Sequence, residues 1–328
     1  MRAMICTEYG PPDSLIVGEL PTEVLGANDI RVRVHAASVN FPDTLIMQGK
    51  YQLKPPLPFA PGFEVAGEAI EVGAAVTRYR VGDRLMGLTS SGYGGFAEEA
   101  VTDVTRAVGV PDGMDYVTAT AFYTAYGTSY HALVQRGQLR SGEVLVVLGA
   151  SGGVGLAAVE IGKALGARVL AAASTQEKLE ITRQHGADET INYQDEDLRQ
   201  RIKALTDGKG ADVCFDAVGG DQFDAASRSM NWNGRLLVVG FTSGRIPHLP
   251  TNLLLLKSYQ AVGVYFNNLV LHDPETNQAN FRHLCQLFSD GALRPRIFRT
   301  YPLEHAADAL NDVLARRVTG KLVLTLGA

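Results

Sequence analysis

The sequence predicts an α/β protein in which a doubly wound parallel sheet is joined to a second, β-rich unit. Three observations carry that prediction. Up to about residue 115, short strand-like segments are punctuated by Gly and Pro. From Tyr116 to about Phe266, apolar runs of four to six residues alternate with longer helix-like segments. One of those runs, Val144–Leu148, empties into a cluster of glycines that opens a helix.

In the first third, residues 30–36 alternate apolar and polar side chains, which places Arg31 and Arg33 on one face and the valines on the other, as in a half-buried strand. Residues 64–72, 84–88 and 96–101 are further strand candidates, separated by Gly73, Gly82-Asp83 and the run Ser90-Ser91-Gly92-Tyr93-Gly94-Gly95. Between them, the Pro-rich segment 54–62 is excluded from helix, because each Pro removes a donor and holds its predecessor extended. In the middle of the chain the strand candidates are 144–148, 168–173, 189–191, 213–217, 236–239 and 261–265. Their continuous apolarity suits strands covered on both faces. Helices are predicted between them at 154–165, 176–185, 197–206 and 222–230. The tail returns to mixed elements: a helix over about 280–288, a strand at 297–300, a helix at 303–314 and a last strand at 321–326. No fixed-period repeat is present.

Composition narrows the partners. The 328 residues carry 30 Lys and Arg against 35 Asp and Glu, a net charge of −5, with no clustered basic footprint for nucleic acid. No apolar stretch approaches the roughly 18 residues of a membrane span, so a membrane partner is not expected. Cys6, Cys214 and Cys285 are scattered, which excludes a disulfide framework. The opening MRAMICTEYGPPD has no continuous apolar core, and a cytoplasmic setting is expected.

The most informative segment runs from the strand at 144–148 through Gly149, Ala150, Ser151, Gly152, Gly153, Val154 and Gly155 into an Ala-rich helix. Backbone amides at such a helix start can approach a pyrophosphate without Cβ obstruction, so a dinucleotide is expected on Gly149, Ser151, Gly152, Gly153, Val154 and Gly155. A tight turn with no ligand is the alternative. The next strand leads into Ala172-Ala173-Ser174-Thr175, without the acid that would accept from a ribose 2′-hydroxyl and repel a 2′-phosphate. NADPH is therefore the expected cofactor, with Ser174, Lys178 and Tyr193 around its 2′-phosphate; a solvated helix lysine is the other reading of Lys178.

Further segments carry a family resemblance: Ala37-Ser38-Val39-Asn40-Phe41-Pro42-Asp43, Gln48-Gly49-Lys50-Tyr51, Pro61-Gly62-Phe63-Glu64-Val65-Ala66-Gly67, Gly127-Thr128-Ser129-Tyr130-His131, Val239-Gly240-Phe241-Thr242-Ser243-Gly244 and Thr319-Gly320-Lys321. With the glycine loop, they resemble the zinc-free, zeta-crystallin-like quinone oxidoreductases of the medium-chain dehydrogenase/reductase superfamily over essentially the whole chain. The glycine spacing 149, 152, 155 is one residue longer than the strict dinucleotide form and is similar to that of this branch. The resemblance implies a GroES-like catalytic domain over 1–124, a Rossmann NADPH-binding domain over 125–265, and a C-terminal return over 266–328 that completes the first domain, with NADPH in the cleft between the two.

In zinc members of the superfamily, tetrahedral sites need thiolate and imidazole ligands. Their first Cys position matches Asn40 here and the His of their Gly-His-Glu motif matches Phe63, so no metal is expected. Without a Lewis acid, an unactivated ketone would leave its developing alkoxide charge poorly compensated. A quinone or an alkene conjugated to a carbonyl spreads that charge through its π-system and is the expected acceptor.

The resemblance also implies site residues. Asn40 is similar to the residue that contacts the nicotinamide ribose or the substrate oxygen, Asp43 would orient its loop, and Tyr51 resembles an active-site aromatic that donates a hydrogen bond or stacks on the acceptor. Thr128 matches a position near the nicotinamide carboxamide; Gly240, Phe241 and Ser243 lie at the adenine-side strand end, and Val264 and Phe266 near the nicotinamide ring. Each has a plain alternative: Asn40 and Asp43 as turn residues, Tyr51 as a loop anchor, Phe266 as core. Asp216 faces the ligand side of the sheet or serves as a turn residue. The function implied is NADPH-dependent hydride transfer to a quinone or similar α,β-unsaturated carbonyl. Its rivals are an enoyl-thioester or alkenal double-bond reductase and a non-catalytic NADPH-binding protein. An apolar edge strand at 261–266 and the family both suggest a homodimer.

Overall fold

The structure, a computed structural model, describes residues 1–327. It divides into two compact units: Met1–Thr124 together with the chain from Pro295 onward, and Ala125–Arg294.

The chain begins with β1 (Arg2–Ile5) and β2 (Ile16–Glu19), an antiparallel pair, then β3 (Asp29–Val39), α1 (Phe41–Met47), β4 (Glu64–Val72), β5 (Arg84–Leu88), β6 (Glu99–Asp103), β7 (Ala107–Gly109) and α2 (Tyr116–Tyr130). β3 shows why this part reads as strands. Ile30, Val32 and Val34 are buried while Arg33 is exposed, and Arg31 turns outward to donate through Nε to Glu71 Oε2 at 2.9 Å. The strand predicted at 96–101 lies at Glu99–Asp103, paired with β3.

The middle of the chain alternates: β8 (Val144–Leu148), α3 (Gly153–Ala164), β9 (Arg168–Ala173), α4 (Gln176–Gln184), β10 (Glu189–Asn192), α5 (Leu198–Leu205), β11 (Ala211–Asp216), α6 (Gly220–Ser227), β12 (Met230–Val238), α7 (Thr251–Lys257), β13 (Gln260–Gly263), α8 (Phe266–His272) and α9 (Pro274–Ser289). β8 to β13 form one parallel sheet in the order β10-β9-β8-β11-β12-β13, the doubly wound arrangement whose strand order reverses between β8 and β11. Val146, Leu148, Leu170, Ile191 and Leu236 are all fully buried, as strands covered on both faces require. The edge strand predicted at 261–265 is Gln260–Gly263: Tyr265 is already the N-cap of α8, and Phe266 its first residue.

Residues 266–294 correct the predicted start of the C-terminal return, because they belong to the second unit. Their helices pack there: Phe281 and Phe266 make a tilted edge contact at 6.5 Å, Tyr130 OH meets His283 Nδ1 at 2.6 Å, and Gln135 Nε2 donates to Asn280 Oδ1 at 2.9 Å. Composition offers no break at 294, so the boundary depends on these distant contacts. The second unit also holds a buried carboxylate, Glu160 of α3. Its Oε2 accepts from Tyr126 OH at 2.6 Å and from the backbone N–H of Arg294 at 3.0 Å, and its Oε1 meets His185 Nδ1 at 2.5 Å.

Beyond Arg294 the chain adds β14 (Ile297–Pro302), α10 (Ala306–Leu314) and β15 (Lys321–Thr325) to the first unit. Its larger sheet runs β14-β15-β3-β4-β5-β7, with β6 pairing β3. The register sets one corner of that sheet. β15 is antiparallel to β3 with Leu322 opposite Val39, and β4 is antiparallel to β3 with Val65 opposite Ala37. The end of β3 therefore lies between the starts of β15 and β4, which brings Asn40, Lys321 and Glu64 together.

Candidate active site

In the second unit, six parallel strands send all their C-terminal ends to one edge, and the predicted cofactor residues follow those ends. Gly149 closes β8 in the left-handed region, at φ +67°, and Gly152 caps α3. The glycines differ in what surrounds them. A Cβ on Gly155 would stand 2.2 Å from the Gly149 carbonyl oxygen, whereas one on Gly152 would meet only that oxygen, at 3.5 Å. Gly155 is thus needed for the close approach of α3 to the loop. Gly152, Gly153 and Val154 are half-buried, Ser151 is buried, and the first amides of the 12-residue α3 have no partner within the helix. A phosphate-bearing ligand fits this cradle: it has room at Gly152, donors and the positive end of a helix dipole.

The expected 2′-phosphate residues also meet. Lys178 Nζ donates to Ser174 Oγ at 3.4 Å, and the Lys178 backbone N–H donates to the Thr175 hydroxyl that caps α4. Tyr193 follows β10 and donates its backbone N–H to Ala173 O at 3.2 Å, which places it beside the end of β9. Gly240, Phe241 and Ser243 lie on the loop after β12. That loop is laced to the end of β11: Gly240 N–H to Asp216 O at 3.2 Å and Ser243 N–H to Val218 O at 2.9 Å. Asp216 is a turn former, accepting through Oδ1 from the N–H groups of Val218 and Gly219 at 2.8 and 2.9 Å. Burial pushes its carboxyl up to about 6, against the pull of those two amides. Val264 extends the sheet with an N–H to Val238 O, and Thr128 is buried in α2. Phe266 packs as a core residue: it is 5% exposed, its ring against Gly127 and Phe281.

In the first unit, Asn40 caps α1 and stands at the sheet corner. Its Nδ2 donates to Ser38 O at 3.2 Å and to Glu64 Oε2 at 3.1 Å; its Oδ1 accepts from Lys321 Nζ. Lys321 Nζ also lies 3.7 Å from Glu64 Oε2, and Glu64 Oε1 accepts from the Thr124 backbone N–H at 2.5 Å. Asp43 is fully buried and closes the loop by accepting from the Asn40 backbone N–H through Oδ2 at 2.8 Å. Its Oδ1 has no hydrogen-bond partner. Burial pushes the Asp43 carboxyl up to about 7, outweighing the Asn40 amide and the charge of Lys321. Burial also lowers the Lys321 ammonium, while the nearby carboxylates of Glu64 and Asp43 oppose that shift. Tyr51 lies half-buried on the first unit's core. Sequence reasoning left Lys321 and Glu64 without a role; the Thr319-Gly320-Lys321 and Phe63-Glu64 motifs were the available signals.

Comparison with known proteins agrees with this architecture. Residues 26–112 match the alcohol dehydrogenase GroES-like domain and residues 153–289 the zinc-binding dehydrogenase domain. The chain is 40% identical to a quinone oxidoreductase-like protein 2 homolog of Nematostella vectensis over 98% of its own length and 88% of that protein's. It superimposes on the Escherichia coli quinone oxidoreductase, solved in complex with NADPH, with a TM-score of 0.93 at 27% identity, covering 99% of this chain and 100% of that one. It also superimposes on a 2-haloacrylate reductase with a TM-score of 0.89 at 26% identity, covering both chains completely. A GroES-like unit and a doubly wound dinucleotide-binding sheet in one chain define an oxidoreductase of the alcohol dehydrogenase type. Within that class, the chain belongs to the zinc-free quinone oxidoreductase branch of the medium-chain dehydrogenase/reductase superfamily. The zinc-binding name is that of the matched domain family, and among the described residues no three His, Cys, Asp or Glu side chains are grouped to hold a metal ion.

Proposed function

We propose that this oxidoreductase uses NADPH to reduce a quinone or a similar α,β-unsaturated carbonyl without a metal. The observation that carries the cofactor assignment is the meeting of Ser174 and Lys178 at the end of β9, next to Tyr193, where the strand end Ala172-Ala173-Ser174-Thr175 carries no acid to repel a 2′-phosphate. The glycine loop and the start of α3 hold the pyrophosphate, Gly240, Phe241 and Ser243 border the adenosine half, and Thr128 and Val264 border the nicotinamide. When bound, NADPH supplies the hydride. The chain supplies position and polarity: Asn40, oriented through Asp43, contacts the nicotinamide ribose or the acceptor, and Tyr51 stacks on a planar acceptor or donates to its oxygen. Where zinc relatives polarise a carbonyl with metal, a conjugated acceptor delocalises the incoming charge itself.

A second reading is favoured by the likeness to the 2-haloacrylate reductase, whose name describes an alkene conjugated to a carboxyl group. Steady-state assays with NADPH and 1,4-naphthoquinone, and in parallel with an enoyl thioester, separate the two. Turnover of the quinone with NADPH preferred over NADH supports the first reading; turnover of the thioester alone supports the second, and no turnover with either sinks both. A cytoplasmic homodimer completes the proposal. The outer strand β13 leaves a sheet edge on which a second copy can pair, and light scattering reporting a monomer would remove the dimer.

A further inference from the structure

We propose that Lys321 and Glu64 act as a pair of positioning residues that lock the Asn40 side chain in one of its two amide orientations, so that Asn40 serves the bound cofactor only as a hydrogen-bond acceptor. The inference deepens the proposed function and rests on its placement of Asn40 at the nicotinamide ribose or the acceptor.

A side-chain amide has two N–H donors and an oxygen with two lone pairs. Both donors of Asn40 point inward, to the Ser38 carbonyl at 3.2 Å and to Glu64 Oε2 at 3.1 Å, while its oxygen accepts from the buried ammonium of Lys321. Rotation of the amide by half a turn would set the NH2 group against an ammonium and the carbonyl oxygen against a carboxylate. Both contacts would be repulsive, at a corner where Glu64 is wholly buried and the Lys321 side chain is 9% exposed. Glu64 is in turn held by the Thr124 backbone N–H on its other oxygen, and β15 and β4 are fixed on either side of β3 by the sheet register. What remains on Asn40 is a lone pair of its oxygen, shared with the capping-box approach of the Asp43 backbone N–H. That lone pair suits a hydroxyl such as those of the nicotinamide ribose. It does not suit the carbonyl oxygen of a quinone, which needs a donor.

The test uses the full chain with NADPH, an NADPH analogue lacking a hydroxyl on the nicotinamide ribose, and 1,4-naphthoquinone. The double variant Lys321→Met/Glu64→Gln removes both charges together, so neither is left buried alone, and thermal unfolding verifies that it folds. The expected result is NADPH affinity weakened about tenfold, the scale of one ordinary hydrogen bond, with the KM for naphthoquinone unchanged. The wild type binds the deoxy analogue less tightly than NADPH, and the double variant no longer distinguishes them. An unchanged NADPH affinity with a raised naphthoquinone KM would overturn the proposal, since Asn40 would then be serving the acceptor. Asn40→Ala separates the levels. If that change leaves NADPH affinity and naphthoquinone KM alike untouched, the placement of Asn40 in the site falls. If it weakens NADPH and the double variant does not, only the positioning pair falls.

Discussion

Two alanines, placed three residues apart in the glycine loop, should fail in different ways. At Gly155 the added Cβ would stand 2.2 Å from the Gly149 carbonyl oxygen and 2.8 Å from Ala150 Cα, all rigid backbone. Ordinary contact begins near about 3.4 Å, so α3 and the loop must part by roughly an ångström. That movement disturbs Leu156, Ala157, Val159 and Ile161, which are buried against the sheet. Overpacking of this kind costs about 1–3 kcal/mol, which lowers Tm by several degrees in a unit of this size. At Gly152 the nearest protein atom is 3.5 Å from the new Cβ, so Gly152→Ala should keep wild-type stability. The same Cβ projects into the space the pyrophosphate is proposed to fill, and NADPH affinity should drop at least about tenfold. Chemical denaturation and fluorescence titration with NADPH read the two effects separately. A Gly155→Ala protein with the wild-type midpoint would refute the packing argument. A Gly152→Ala protein that binds NADPH normally would refute the cradle.

Two further outcomes follow from single side chains. Lys178→Ala should lower the preference for NADPH over NADH about tenfold, the scale of one phosphate contact, with NADH kinetics unmoved; an unaltered ratio in steady-state assays would show that Lys178 only solvates its helix. Asp43 links stability to pH. Its carboxyl is raised to about 7 in the folded chain from an ordinary 3.8, so over that interval the native state holds a proton that the unfolded state has lost. The stabilisation is complete below the unfolded value and is lost as pH rises through about 7, with a slope of up to about 1.4 kcal/mol per pH unit. Urea unfolding between pH 4 and 8 should show this decline in the wild type and a shallower one in Asp43→Asn. Parallel curves for the two proteins would remove Asp43 as its source.

How far the sequence could be read depended on how local each determinant was. β8 and its glycines were legible because apolar run, turn and helix start follow one another within a dozen residues. α2 escaped prediction because Ala119, Ala121, Phe122, Tyr123, Ala125 and Tyr126 are buried on every side, which leaves no amphipathic period to detect. The first half of β12 was hidden by Asn231-Trp232-Asn233-Gly234, which reads as a turn and does hold Asn233 at φ +57°. At the candidate site, Asn40 and Asp43 lie within one capping turn and could be found together. Lys321 lies 281 residues from Asn40, and only the pairing of β15 with β3 brings it there. The orientation of the Asn40 amide is likewise set by the fold, because the residue type alone allows donor and acceptor roles alike.

Glu160 has a bearing on how this chain can be taken apart. The backbone leaves the first unit after Thr124 and returns at Pro295, so the second unit is a continuous insertion into a discontinuous host. Tyr126 and Arg294, close to the two ends of that insertion, bind the same carboxylate oxygen. The insertion therefore carries its own staple near both of its ends. Domain exchange is tolerated best where the piece moved keeps its own internal contacts. An exchange of residues 125–294 between family members would carry Glu160, Tyr126 and Arg294 together and would place its first joint inside α2.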